Sequence, residues 1–379
     1  MKEYSKKQLI IRGILSAVFF IAAIVIGVRA VQKLTKKDPG IYVIDAQIDK
    51  SANLYASGIK LSYYLDGKSS DIRTNEKAIS QIYTIALARA YKLTDPYNEY
   101  EGYLNLCTIN KSKGSDVKIS QELYDILKDA YDKTKENKGY SMFAGPYYEH
   151  FNEIIYSDDS VEFDPAVNEE ESERLNALLD ETLDLNNFTL DLSQEKTVNF
   201  SVSKSYEDFL KDNEEKDAAI DLNLLREAYM VRIVSDALTS AGYTKGLITT
   251  QSGIIIDLGS YERGGYTLYA MEGGEIATKK VVELKPGTSM SGMVSFALQG
   301  DLRGYSEIKK GSDTIYRSPY VLLKENGLYT MVKSSYVAID SLDILKAVYA
   351  NIVLASCDSK DAAKSNMNEL GITEYYFFE

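Results

Sequence analysis

His150 is the chain's only histidine, and Cys107 and Cys357 are its only cysteines. A mechanism that needs two histidines is therefore excluded, and without a Cys-x-x-Cys pair or a Cys/His cluster a zinc site is not expected. The two thiols read as isolated and partly buried, and His150 reads as a surface histidine rather than a general base. Residues 158–173, DDSVEFDPAVNEEESE, are acidic enough for a calcium loop but lack the EF-hand spacing and its central Gly. Glu170, Glu171 and Glu173 suit instead the first turn of a helix over residues 175–185. Asp343 reads as the N-cap of a helix beginning near Ile344. Ser291-Gly292 lies in a small-residue stretch that reads as a turn.

The elements that would position these residues follow from hydrophobic periodicity. The organising stretch is residues 221–253, DLNLLREAYMVRIVSDALTSAGYTKGLITTQSG. Leu222, Leu225, Tyr229, Ile233, Val234, Ala237 and Leu238 form an amphipathic helical stripe that Ala241-Gly242 ends. Residues 247–250 and 254–256 flank Gln251-Ser252-Gly253 as a hairpin. Alternation over Ile59, Leu61, Tyr63 and Leu65 predicts a strand ending in an Asp66-Gly67 turn. Helices are expected over residues 75–93, after a Ser120 N-cap, over a charged insert at 206–216, and over 342–355. Further strands are expected at 197–202, 266–271, 275–284, 318–327, 335–339 and 372–378. Strands and helices mix without βαβ alternation, so the expected class is α+β.

A net charge of −13 argues against a nucleic-acid partner, whose phosphates require Lys and Arg. Thirty tyrosines and no tryptophan predict many half-buried phenols in the core or along a groove. At the N-terminus, residues 13–28 carry no charge, and Arg12 and Arg29 can snorkel. Residues 1–8 then read as a short cytoplasmic tail, 9–31 as an uncleaved transmembrane anchor and 32–55 as a linker. Residues 56–379 read as an extracytoplasmic body. Lys and Arg are balanced across the span, so orientation rests on the short tail staying inside.

From about Ile59 onward the order of features resembles the ApbE-like family, the FAD:protein FMN transferases. Leu104 to Asn110, Ile119-Ser120-Gln121-Glu122-Leu123, and Gly139 through Gly145-Pro146-Tyr147 fit that family's early segment. The signature D-L-G-G-I-A-K-G-Y-A stands here as DLNLLREAYM from Asp221, and a T-S-G turn as Met290-Ser291-Gly292. The motif H-I-I-D-P-R-T-G stands as YVLLKENG from Tyr320, and A-D-A-L-A-T-A as LDILKAV from Leu342. The resemblance implies an ApbE-like mixed sheet and helix body behind the N-terminal transmembrane helix. It also implies FAD and Mg²⁺ as cofactors and a flavinylated redox protein as partner. The positions it assigns to the cofactor are Asn223, Glu227, Tyr229, Ser291, Gly292 and Tyr320, with Asp343 for the metal.

The departures weigh against the family's reaction. Phosphoryl transfer needs a metal and cations over the developing charge, and close backbone N–H groups. The Gly-Gly pair is replaced by Asn223-Leu224, and the Lys by Glu227, which reverses the local field. The His position is Tyr320, placed where a phenol could stack on a flavin ring. The Asp of that motif is Leu323, and the Thr that would accompany Asp343 is Ala347. No catalytic residue is assigned. The expectation is a non-catalytic flavin-binding or scaffold protein, with an active, divergent transferase as the alternative.

Overall fold

The structure is a computed structural model. It describes residues 36–47, 49, 52–156, 162–163, 165, 168–215, 218–259, 265–272, 275–294, 307–310, 313–316, 334–357 and 359–378. The expected tail, the anchor over 9–31, Tyr320 and the strand over 318–327 lie outside the described residues. Among the described residues no helix is long and apolar enough to cross a membrane.

In chain order the elements are β1 (Gly40–Ile44), β2 (Lys60–Leu65), α1 (Ser69–Leu93), α2 (Leu106–Asn110), β3 (Val117–Lys118), α3 (Gln121–Glu136), α4 (Gly145–Tyr156) and α5 (Glu169–Leu183). They continue with β4 (Phe188–Asp191), β5 (Thr197–Val202), α6 (Lys204–Asp212), a 3₁₀ turn (Asn223–Leu225), α7 (Arg226–Ser240), β6 (Gly246–Thr249) and β7 (Ile254–Asp257). The last are β8 (Gly265–Glu272), β9 (Glu275–Glu283), β10 (Ser289–Val294), β11 (Glu307–Lys310), β12 (Asp313–Tyr316), β13 (Ser334–Ile339), α8 (Ile344–Ala355), α9 (Lys360–Glu369) and β14 (Glu374–Phe378). The mixture is α+β, as the periodicity implied.

The chain divides into two compact units. In the smaller, residues 36–42 and 64–78 are described. There the Lys37 backbone N–H donates to Ser69 Oγ at 2.9 Å, and the Lys37 ammonium pairs with Glu76. Gly67, at φ +99, makes the turn into α1 that only glycine adopts without strain.

A seven-stranded sheet has the order β1-β2-β6-β7-β10-β13-β14, and its strands from β6 to β14 lie wholly in the larger unit. β1 falls within residues expected to be linker. The expected hairpin is present, with Leu247 opposite Asp257 and Thr249 opposite Ile255. Residues 289–292 are not a turn, as their small side chains suggested. They open β10, a central strand paired to β7 on one side and β13 on the other. Side chains there are small because both faces are covered. A Cβ on Gly292 would lie 2.9 Å from the Tyr336 ring, and buried Ser291 faces α8.

One sheet face packs Met290, Tyr336 and Ala338 against Leu268, Val282 and Leu284 of the β8–β9 hairpin. That hairpin bulges between Leu268 and Tyr269, which frees backbone groups of Tyr269. The Tyr336 hydroxyl satisfies them, donating to Tyr269 O at 2.8 Å and accepting from Tyr269 N at 3.0 Å. The other face packs α8, whose residues from Ile344 to Ala355 are buried except Lys346. Asn351 is the polar exception inside that helix, fully buried. Its amide donates to Ser291 O at 3.2 Å, Ser291 Oγ at 3.1 Å and Ser335 O at 3.4 Å, which pins helix to sheet.

Helix ends follow side-chain capping. Ser120 accepts from Leu123 N at 3.2 Å, and α3 stops at Asn137 in the left-handed region. The expected helix at 175–185 starts earlier, because Asn168 caps it and Glu169, Glu170 and Glu171 occupy its first turn.

Candidate functional site

The site is built around the turn that carries Asp221. The strand-like approach to it is held by Asn110, which accepts from Ile220 N at 2.9 Å and donates to Ile220 O at 3.0 Å. Asp221 N donates to Met142 O at 2.9 Å. Gly145, the first residue of α4, touches the same segment: a Cβ there would lie 2.1 Å from Ala218 O. The glycine is needed for close approach, at the position where the sequence placed the family's early motif.

Asp221 is 9% exposed. Its carboxylate accepts from Asn223 N at 2.8 Å and from the Tyr97 hydroxyl at 3.2 Å. Burial pushes this carboxyl above the usual range, while Arg226 and those hydrogen bonds oppose the rise. Arg226 lies over the Tyr91 ring and donates from Nε to Thr94 Oγ1 at 3.3 Å. Next to it, burial would raise Asp95, but hydrogen bonds from Tyr100 and from the Tyr97 and Asn98 backbone outweigh burial and hold it below the usual range.

Asn223 has φ 47, in the left-handed region. Asparagine is the residue other than glycine that visits this region routinely. A Gly-to-Asn exchange therefore preserves this backbone, and what changes is the side chain, whose Nδ2 donates to Ser141 O at 3.2 Å. Glu227 sits in the first turn of α7, an N-terminus with no side-chain cap, and it accepts from the Ser252 hydroxyl in the β6–β7 turn. A carboxylate is favoured there by the helix dipole.

The next residue of that β6–β7 turn, Gly253, accepts from Gly292 N at 2.9 Å. Glu227 and Gly292 are thus neighbours across Ser252-Gly253, and Ser291 is the inward residue beside them. Tyr229 is placed elsewhere. It is fully buried, and its hydroxyl donates to Asp129 of α3 at 2.5 Å. Two residues apart on a helix, Glu227 and Tyr229 cannot share a face.

Asp343 does not join the group. It caps α8 by accepting from Lys346 N at 3.2 Å, and it lies eight residues before Asn351, roughly 12 Å along the helix. Asp343→Asn is therefore expected to leave thermal stability nearly unchanged, whereas Asp343→Ala costs about 1 kcal/mol. Equal losses in a thermal melt would contradict the capping role.

The sequence did not single out Tyr97, Arg226, Ser252 or Asn351. Asn351 had a signal, a lone amide in the apolar run ILKAVYANIVLA. Nor is His150 on the surface: at 8% exposed it is buried between two carboxylates.

No family model matches the chain, and no curated protein matches it by sequence. Solved structures do match by fold. The flavin transferase ApbE from Vibrio cholerae aligns with a TM-score of 0.58 at 11% identity, covering 89% of this chain and 97% of that one. The fold is that of the ApbE flavin transferases. The ApbE protein of Thermotoga maritima aligns at TM-score 0.58 and 12% identity, covering 90% and 94% of the two chains. The Pseudomonas stutzeri flavinyl transferase ApbE, in its apo form, gives 0.52 and 13%, covering 90% and 91%.

The described side chains do not fit the groups an ApbE fold implies. A diphosphate needs cations and open backbone donors. Here Glu227 brings negative charge, and the Asn223 N–H is spent on Asp221. A hard divalent ion needs several oxygens. Among the described residues no group of three His, Cys, Asp or Glu side chains is placed to hold one.

Proposed function

We propose that this protein is a non-catalytic member of the ApbE fold, a scaffold or partner-recognition protein held at the membrane by residues 9–31 with its body outside the cytoplasm. The observation that supports this reading is what Asn223, Glu227 and Asp343 do. Asn223 holds a left-handed turn and donates its side-chain amide to Ser141 O, Glu227 ties the start of α7 to the β6–β7 turn, and Asp343 caps α8. Among the described positions that the resemblance assigns to cofactor or metal chemistry, Glu227, Tyr229, Ser291 and Asp343 each have a side-chain hydrogen-bond partner within the framework. A flavinylated redox protein is the partner class the fold suggests.

Isothermal titration of the full chain with FAD, with and without Mg²⁺, tests the reading. The expected result is that Mg²⁺ leaves the heat unchanged, since among the described residues no group of three His, Cys, Asp or Glu side chains is placed to hold it. FAD binding that strengthens with Mg²⁺ in the wild type and loses that gain in Asp343→Asn would overturn it. Heat that ignores Mg²⁺ would assign the scaffold a flavin, and no heat would leave recognition of a partner as its role.

A further inference from the structure

Three elements meet at the chain's only histidine. α4 presents His150, α5 presents Glu171 and Arg174, and the turn after α6 presents Glu215. The ring is buried, with Nε2 3.0 Å from Glu171 Oε2 and Nδ1 3.2 Å from Glu215 Oε1. An ionised carboxylate only accepts, so both contacts are hydrogen bonds only when both ring nitrogens carry protons. Glu215 has a second anchor. Arg174 reaches its Oε1 from Nε at 3.0 Å and Nη2 at 2.8 Å, and Nη2 also donates to Asn213 O at 2.7 Å. The buried Tyr206 phenol of α6 lies within electrostatic reach of Glu181 and Glu215.

We propose that His150 is a pH-operated latch: as an imidazolium it ties α4 to both α5 and the Glu215 turn, and as a neutral ring it releases Glu171. The asymmetry follows from Arg174. On losing one proton the ring keeps Nδ1–H toward Glu215, which its guanidinium partner also holds in place. The Nε2 lone pair then faces Glu171, an arrangement in which both atoms are acceptors. The proton leaves to solvent.

α4 also walls the Asp221 turn. Gly145 at its start abuts Ala218, and Tyr148 lies within electrostatic reach of Asp221. Opening the latch therefore loosens the helix on which that turn rests. Burial alone would lower the imidazole's pKa, but the hydrogen bonds to Glu215 and Glu171 outweigh burial and the opposing Arg174, and raise it above 6.5. A raised folded-state value gives stabilisation that is complete below the unfolded value and lost as pH rises through the folded one.

The test uses the full, untagged chain in detergent, where a single histidine gives a single pair of ring signals by NMR. The ring is expected to titrate above 6.5, and Glu171→Gln is expected to lower that midpoint. Across the same window the unfolding equilibrium constant of the wild type should rise about tenfold for each unit separating folded and unfolded values, while His150→Gln stays flat. A ring that titrates at or below 6.5, a midpoint indifferent to Glu171→Gln, or the same pH-dependent loss in His150→Gln would each overturn the latch. The NMR arm stands even if His150→Gln fails to fold.

Discussion

Gly253→Ala is expected to cost about 4 kcal/mol of stability, the sum of two independent penalties. The residue has φ +97, which L side chains rarely adopt, and a Cβ would lie 2.2 Å from Gly292 O and 3.1 Å from its carbonyl carbon. Neither partner can move cheaply. Gly292 is paired with Tyr336 of β13, its N–H donates to Gly253 O, and its own face is closed by the Tyr336 ring. The contact is backbone against backbone, so no rotamer change relieves it. The measurement is the urea midpoint of Gly253→Ala against Gly40→Ala, whose Cβ meets nothing within 4 Å and which should shift stability by no more than about 0.5 kcal/mol. Equal shifts would contradict the close crossing of the β6–β7 turn over β10. The same variant should loosen Glu227, because the adjacent Ser252 hydroxyl is its hydrogen-bond donor.

Gly145→Ala is expected to cost about 3 kcal/mol, from overpacking alone. Its φ is unremarkable, but a Cβ would stand 2.1 Å from Ala218 O, 3.3 Å from Ala219 O and 3.3 Å from the Asp221 Cβ. The segment it would displace is the one that carries Asp221 into its turn, held from the far side by Asn110. Relief must come either from the start of α4 tilting away or from the 218–221 backbone moving, and either breaks the Asp221 N to Met142 O bond of 2.9 Å. A melt of Gly145→Ala no lower than that of Gly40→Ala would contradict this packing.

Much of the framework is legible in the chain because it is local. Ser120 and Asp343 announce helix starts through side-chain oxygens that need no tertiary partner. The 247–256 hairpin is announced by its apolar runs and its Ser252-Gly253 tip. What escapes is decided by neighbours distant in sequence. Residues 289–292 look like a turn because Ser and Gly usually make one. Here they are small because Tyr336 covers one face and α8 the other. His150 gives no local hint of burial, since Glu171 and Glu215 are supplied by separate elements. At Asn223, loss of a glycine suggested that backbone approach was lost, yet the left-handed conformation at φ 47 is one that asparagine also tolerates.

Flavin transfer is the activity that the proposed scaffold role excludes. The direct test incubates the full chain with FAD, Mg²⁺ and a flavin-acceptor protein, then looks for flavin fluorescence on the acceptor in a denaturing gel. The expected result is a dark acceptor band at every Mg²⁺ concentration. A fluorescent band that requires Mg²⁺ and disappears with Asp343→Asn, a variant expected to keep the α8 cap, would contradict it.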